Sequence, residues 1–157
     1  VGRIGVVGTS GTISSGIYEK TIHEINSELE VIQKACPLLV PLVEEGLIND
    51  SVTDEIISRY VSDLKSRHID SLVLGCTHYP LLKDAISKIY PDIKIVDPAK
   101  ETALDLKEIL EQNEFLKNDA KKDEEVKYYV TDGQEKFKEI GIMFLDENIE
   151  KVELVKL

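Results

Sequence analysis

The chain has 157 residues, 42% hydrophobic and 31% charged, which is enough for one soluble globular domain or one domain with a piece of another. Its 30 acidic against 19 basic residues leave a net charge of −11. Such a surface repels phosphate backbones and anionic lipid, so no nucleic acid and no membrane partner is expected, while a small anionic substrate stays open.

The chain starts at Val1, without Met or a secretory leader pattern, and its first strand begins at once, as in a piece of a longer protein. Residues 3–8 (RIGVVG) read as a short buried strand. A small polar loop, residues 9–16, then leads into a helix to about Ser27, and residues 30–36 form a second strand. Residues 37–46 hold two prolines and read as irregular or as a single helical turn. Val52, Ile56, Ile57, Tyr60, Val61 and Leu64 recur at helical spacing, and Ser51 with Asp54 resembles a capping box.

Residues 71–75 (SLVLG) are a continuous apolar run, as in a parallel strand buried on both faces. A helix opens at Pro80 and runs to about Ile89, and residues 93–96 read as the next strand. Asp97-Pro98 caps a further helix, with Ala99, Ala103, Leu106 and Leu110 as its core face. A charged loop, Asn118 to Glu125, separates this from a strand over 126–130. Phe137, Ile140 and Phe144 mark a helix, and Val152 and Leu154 alternate with charges in a final strand whose polar face predicts an edge.

The expected fold class is therefore α/β, a parallel sheet with helices on both faces. Ligands of such sheets bind where strands run into helices. Two loops qualify, residues 9–16 and 76–80. The first resembles an anion cradle but lacks the lysine of a phosphate-binding loop, so a turn with a helix cap explains it equally well. In the second, Cys76, Thr77 and His78 stand between a strand end and a helix N-terminus, a setting that favours anions and thiolates. Spacing alone makes Cys76 a candidate nucleophile or acid/base, against the alternative of one more buried small residue. No C-x-x-C or H-x-x-x-H spacing offers a metal site. Glu44 and Glu45 read either as an acid/base or as a solvated turn. Cys36 has only Lys34 as a titratable neighbour and defaults to a structural role, and His23 and His68 read as surface residues. Two cysteines do not make a disulfide scaffold, which suits a cytoplasmic location.

The string Leu74-Gly75-Cys76-Thr77-His78-Tyr79-Pro80-Leu81 resembles the second active-site signature of glutamate racemases. Three further stretches match that family in order. They are Gly5-Val6-Val7-Gly8-Thr9 with Thr12 and Tyr18, then Ala35-Cys36-Pro37-Leu38 through Glu44 and Gly46, then Thr131-Asp132 with Phe137 and Phe144-Leu145.

The resemblance implies an isomerase that interconverts L- and D-glutamate for peptidoglycan, with no cofactor and no metal. Two cysteines face opposite sides of the α-carbon. Cys76 would be one of them, assisted by His78, with Thr77, His78, Glu44, Thr9 and Thr12 contacting substrate. Two α/β lobes would sandwich the glutamate, residues 1–98 being the second lobe and 99–157 returning to the first. Members are often dimers, so a homo-oligomer is expected. The family's Asp-Ser-Gly, Tyr-Gly and Cys-Asn-Thr segments do not occur in the chain, and Cys36 matches a non-catalytic family position. The expected further partner is therefore an N-terminal half that carries them, and the 157 residues alone should be inactive. Two other readings stay open: a non-catalytic binding module, and a one-cysteine enzyme of the same superfamily.

Overall fold

The computed structural model describes residues 2–116, 126–145 and 147–156, which form two compact units, 1–109 and 110–157. The expected charged loop at 118–125 lies outside the described residues.

The first unit carries a four-stranded sheet. Its strands are β1 (Arg3–Gly8), β2 (Glu30–Ala35), β3 (Ser71–Gly75) and β4 (Lys94–Val96). Their spatial order is β2-β1-β3-β4 and every pair is parallel. The chain steps from β1 out to β2, then returns across β1 to β3. Right-handed crossovers in opposite directions place their helices on opposite faces of the sheet. One face takes α1 (Ser10–Ser14) and α2 (Ile17–Ile25). The other takes α3 (Leu39–Glu44), α4 (Ser51–Ser66) and α5 (Lys83–Ile89).

The core lies on the α4–α5 side. Val7, Ile32, Leu72 and Leu74 from the strands meet Ile57, Val61 and Leu64 of α4 and Ala85 and Ile86 of α5. Each such large side chain contributes about 1.5–3 kcal/mol on full burial. Gly5 makes room on this side, since a Cβ there would lie 2.6 Å from the Ile69 Cδ1. The opposite side is thinly covered, and neither α1 nor α2 has a buried residue.

Several local expectations are corrected. The polar loop after β1 folds into the short helix α1, because Thr9 caps it. The segment after β2 takes the helical of its two expected forms, over six residues, with Pro41 inside the first turn, where a missing N–H costs little. The cap of α4 is Asp50 rather than Ser51. Its carboxylate accepts from Val52 N at 2.8 Å, and an Asp one residue earlier outcompetes a serine already in the helix. Before α5 the chain makes a 3-10 turn, Tyr79–Leu82. His23 is half-buried and bonds the Leu29 carbonyl through Nε2 at 3.0 Å.

After β4, Asp97 caps α6 (Pro98–Gln112) as expected, accepting from Ala99 N at 3.0 Å. The core face predicted for α6 is not buried, and Leu106 is 54% exposed. Its 3.6-residue spacing marks a face able to pack, and Ala99 and Ala103 on that face are exposed as well.

The second unit contains β5 (Tyr128–Val130), α7 (Gln134–Leu145) and β6 (Val152–Leu154), with β5 and β6 parallel. The Phe137 ring packs against Tyr128 at 6.0 Å between centroids. Gly141 lets Ile149 approach, since a Cβ there would lie 2.5 Å from its Cδ1. Among the described residues β6 pairs with β5 alone, so it is an edge. Among them, too, no helix is long and apolar enough to cross a membrane.

Candidate active site

Register brings three strand ends level. Gly8 stands opposite both Ala35 and Gly75, so the next residues, Cys36, Thr9 and Cys76, leave the sheet side by side. The Cys36 N–H holds this row together by donating to the Gly8 carbonyl at 2.8 Å. The gap between the β1 and β3 ends is also the point where the strand order reverses, the place at which open α/β sheets bind ligands.

Cys76 is half-buried at the end of β3. The Tyr79 N–H donates to its carbonyl at 3.2 Å and closes the turn. Just before it, Gly75 is needed for packing: a Cβ there would lie 2.9 Å from the Val7 carbonyl oxygen and 3.0 Å from Tyr18 Cε2. The Tyr18 ring therefore rests against the strand end. Its phenol is pushed upward, first by burial and then by the adjacent Cys76. A cavity of about 540 Å³ opens here, lined on one side by Tyr18, Gly75, Cys76, Thr77 and Pro80. Asp97, Ala99, Thr102, Ala103 and Leu106 form the other wall. The spacing in α6 that reads as a core face thus lines the cavity instead.

His78 and Glu44 lie 34 positions apart and meet in space. The imidazole Nε2 is 3.6 Å from the Glu44 Oε1, an ion pair when the histidine is protonated, and both side chains are mostly shielded. The other ring nitrogen, Nδ1, lies 3.3 Å from the Thr77 hydroxyl. A carboxylate on one nitrogen and a hydroxyl on the other fix the ring's orientation.

Thr9 and Thr12 occupy the start of α1. The Thr9 hydroxyl accepts from Thr12 N at 3.2 Å and lies 2.9 Å from the Thr12 hydroxyl. The structure thus brings Cys76 and Thr77 into the cavity and joins His78 to Glu44. It sets Thr9 in the same row as Cys76 and gives Thr12 to Thr9. Sequence reasoning missed Tyr18 and the α6 wall as site components. Tyr18 carries only a motif match, and an aromatic residue on a helix gives no sign of where it points.

Cys36 is fully buried, and its thiol donates to the Lys34 carbonyl at 3.6 Å. Burial pushes that thiol up to about 12, against a smaller lowering by Lys34.

The Asp/Glu/Hydantoin racemase family profile matches residues 1–106. The glutamate racemase of Persephonella marina is 46% identical over 99% of the chain, and that of Geobacter metallireducens is 44% identical over 99%. The chain spans 58% of the length of each of these relatives. Among solved structures, the glutamate racemase of Francisella tularensis in complex with D-glutamate superposes with a TM-score of 0.90 at 36% identity. This likeness covers 99% of the chain and 58% of that structure. A glutamate racemase isoform from Bacillus anthracis gives 0.88 at 36% identity over 99% of the chain and 57% of its own.

Proposed function

Because the chain belongs to the Asp/Glu/Hydantoin racemase family, we propose that it supplies one face of a glutamate racemase active site, with Cys76 as the acid/base on that face. The observation that carries this reading is the half-buried thiol at the strand-order reversal, opening on a cavity and flanked by the His78–Glu44 pair.

Inversion at an α-carbon needs a base on one side and an acid on the other, with the roles exchanged for the other enantiomer. The Cys76 thiolate removes the α-proton of one enantiomer, and the thiol returns a proton when the reaction runs backward. His78, oriented by Glu44 and Thr77, stands next to this exchange and binds substrate. Thr9 and Thr12, with Thr77, are the hydroxyl donors for the substrate carboxylate. The second acid/base belongs to the part of the relatives' length that this chain does not span. Cys36 is unsuited to the task, since its thiol is buried and held protonated.

The reaction proceeds without cofactor or metal, in the cytoplasm, and supplies D-glutamate for peptidoglycan. The working enzyme pairs this chain's residues with an N-terminal half of the family's kind and assembles as a homo-oligomer. Residues 1–98 form its second lobe and 99–157 return to the first.

Circular dichroism of L-glutamate, incubated with this chain, with the separately produced N-terminal half, and with both, tests the reading. Loss of optical activity only when both are present is the expected result. No turnover by the complete protein overturns the racemase reading, and clear D-glutamate formation by the chain alone overturns the two-half reading.

A further inference from the structure

The His78–Glu44 pair joins two segments that are separate in sequence and held by different strands. Glu44 ends α3, which starts three residues after Cys36, and His78 lies in the turn that leaves Cys76. A short hydrogen-bonded route connects them. The Tyr79 hydroxyl donates to the Cys36 carbonyl at 2.9 Å, across 43 residues of sequence. Both residues are fully buried. The same carbonyl accepts from Leu39 N at 3.2 Å, the first residue of α3, while Tyr79 N closes the turn on the Cys76 carbonyl at 3.2 Å.

We propose that Tyr79 is a positioning residue: its hydroxyl clamps the turn that carries Cys76 and His78 to the start of α3, and so holds His78 against Glu44. This deepens the racemase reading of Cys76 and His78 and rests on it for its catalytic consequence. A buried tyrosine has a ring and a hydroxyl to place, and filling space serves only the ring. The ring packs in the core with Leu39 and Leu82, a task phenylalanine would also perform. The hydroxyl needs a partner when buried, and here that partner is a backbone atom at the origin of the glutamate's helix. Burial first, then Cys36, Cys76 and Tyr60, push the Tyr79 phenol upward, so it stays a donor at any ordinary pH. The clamp also explains how a 3.6 Å contact between half-buried side chains on two connecting segments keeps one geometry.

The test is a double-mutant cycle read on the His78 ring by nuclear magnetic resonance in this chain, with His23 as internal reference. Glu44→Gln shifts the His78 ring signals. Tyr79→Phe is expected to shift them too, and to reduce the effect of Glu44→Gln by about half or more. An effect of Glu44→Gln that is equally large in the Tyr79→Phe background overturns the proposal. Should Tyr79→Phe not fold, 4-aminophenylalanine in place of Tyr79 restores a donor on the same ring. Wild-type-like His78 signals in that folded variant support the clamp, and signals unlike wild type overturn it. In the complete active protein, Tyr79→Phe should lower kcat about tenfold with little change in KM. An unchanged kcat also overturns the proposal. If the complete wild-type protein proves inactive, the racemase reading fails, and the His78 cycle still decides the clamp.

Discussion

The ends of β2 and β3 pose one local problem and solve it in two ways. Each is a parallel strand that finishes level with Gly8 and is followed by a cysteine. Each cysteine is followed within four residues by proline and a helical turn. Cys36 is fully buried, its thiol pushed up to about 12 and pointed at its own strand's Lys34 carbonyl. Cys76 is half-buried and borders the cavity. The difference comes from what covers them. The Tyr79 ring and the core of α3 and α4 close over Cys36. Cys76 packs against the edge of the same core, and beside it Gly75 and the Tyr18 ring border the open cavity. A strand end in an α/β sheet is thus an opportunity for chemistry, and the second layer decides whether it is taken.

The largest expected effect separates the two thiols in catalysis. In the complete protein, Cys76→Ala should lower racemisation on the order of 10²–10⁴-fold, the usual worth of a positioned acid/base. Cys36→Ala should leave kcat nearly unchanged. A Cys76→Ala enzyme within about tenfold of wild type would remove Cys76 from the chemistry.

Reagent access comes next. Iodoacetamide at mildly alkaline pH should modify one thiol per native chain, Cys76, with Cys36 reacting only in denaturant. Mass spectrometry of the digested protein reads this directly, and early modification of Cys36 would erase the contrast.

A smaller effect comes from the cavity wall beside Cys76. Gly75→Ala forces a Cβ to 2.9 Å from the Val7 carbonyl oxygen and against the Tyr18 ring. The expected cost is about 1–3 kcal/mol in urea unfolding. Full stability would mean that Tyr18 moves aside freely, and that the cavity wall is soft.

The last contrast is a pH dependence. The Cys36 thiol has an ordinary value of 9.0 and is raised to about 12 by folding. Below 9 both states hold the proton and the contribution to stability is constant. Above 9 the unfolded chain releases the proton while the folded chain keeps it, so stability falls as pH rises toward 12. Tyr79, also raised, adds to the same decline. Cys36→Ala should make the alkaline decline shallower, and an identical slope in urea titrations would show that Cys36 is not protected by burial.

The order of strands and helices was legible because each depends on neighbours a few residues away. The apolar run of residues 71–75, the 3.6-residue spacing of α4 and the Asp97-Pro98 cap are local signals, and each gave an element where expected. The composition of the turn at 76–80 and its resemblance to one family marked the candidate site segment, again from neighbouring residues alone. Where local signals failed, a cap had overruled them in α1, and the apolar face of α6 lines the cavity instead of a core.

By itself the sequence determined the alternation of strand and helix, the family, and the candidate residues one by one. Only the tertiary structure decided that Glu44 meets His78, that Tyr79 reaches the carbonyl of Cys36, and that Tyr18 and α6 wall the cavity. Hydrophobic period and turn chemistry act over a few residues and can be read along the chain. Burial and hydrogen bonding at this site are set by strand order and register, which join residues 34 to 43 positions apart and leave no periodic trace in the sequence.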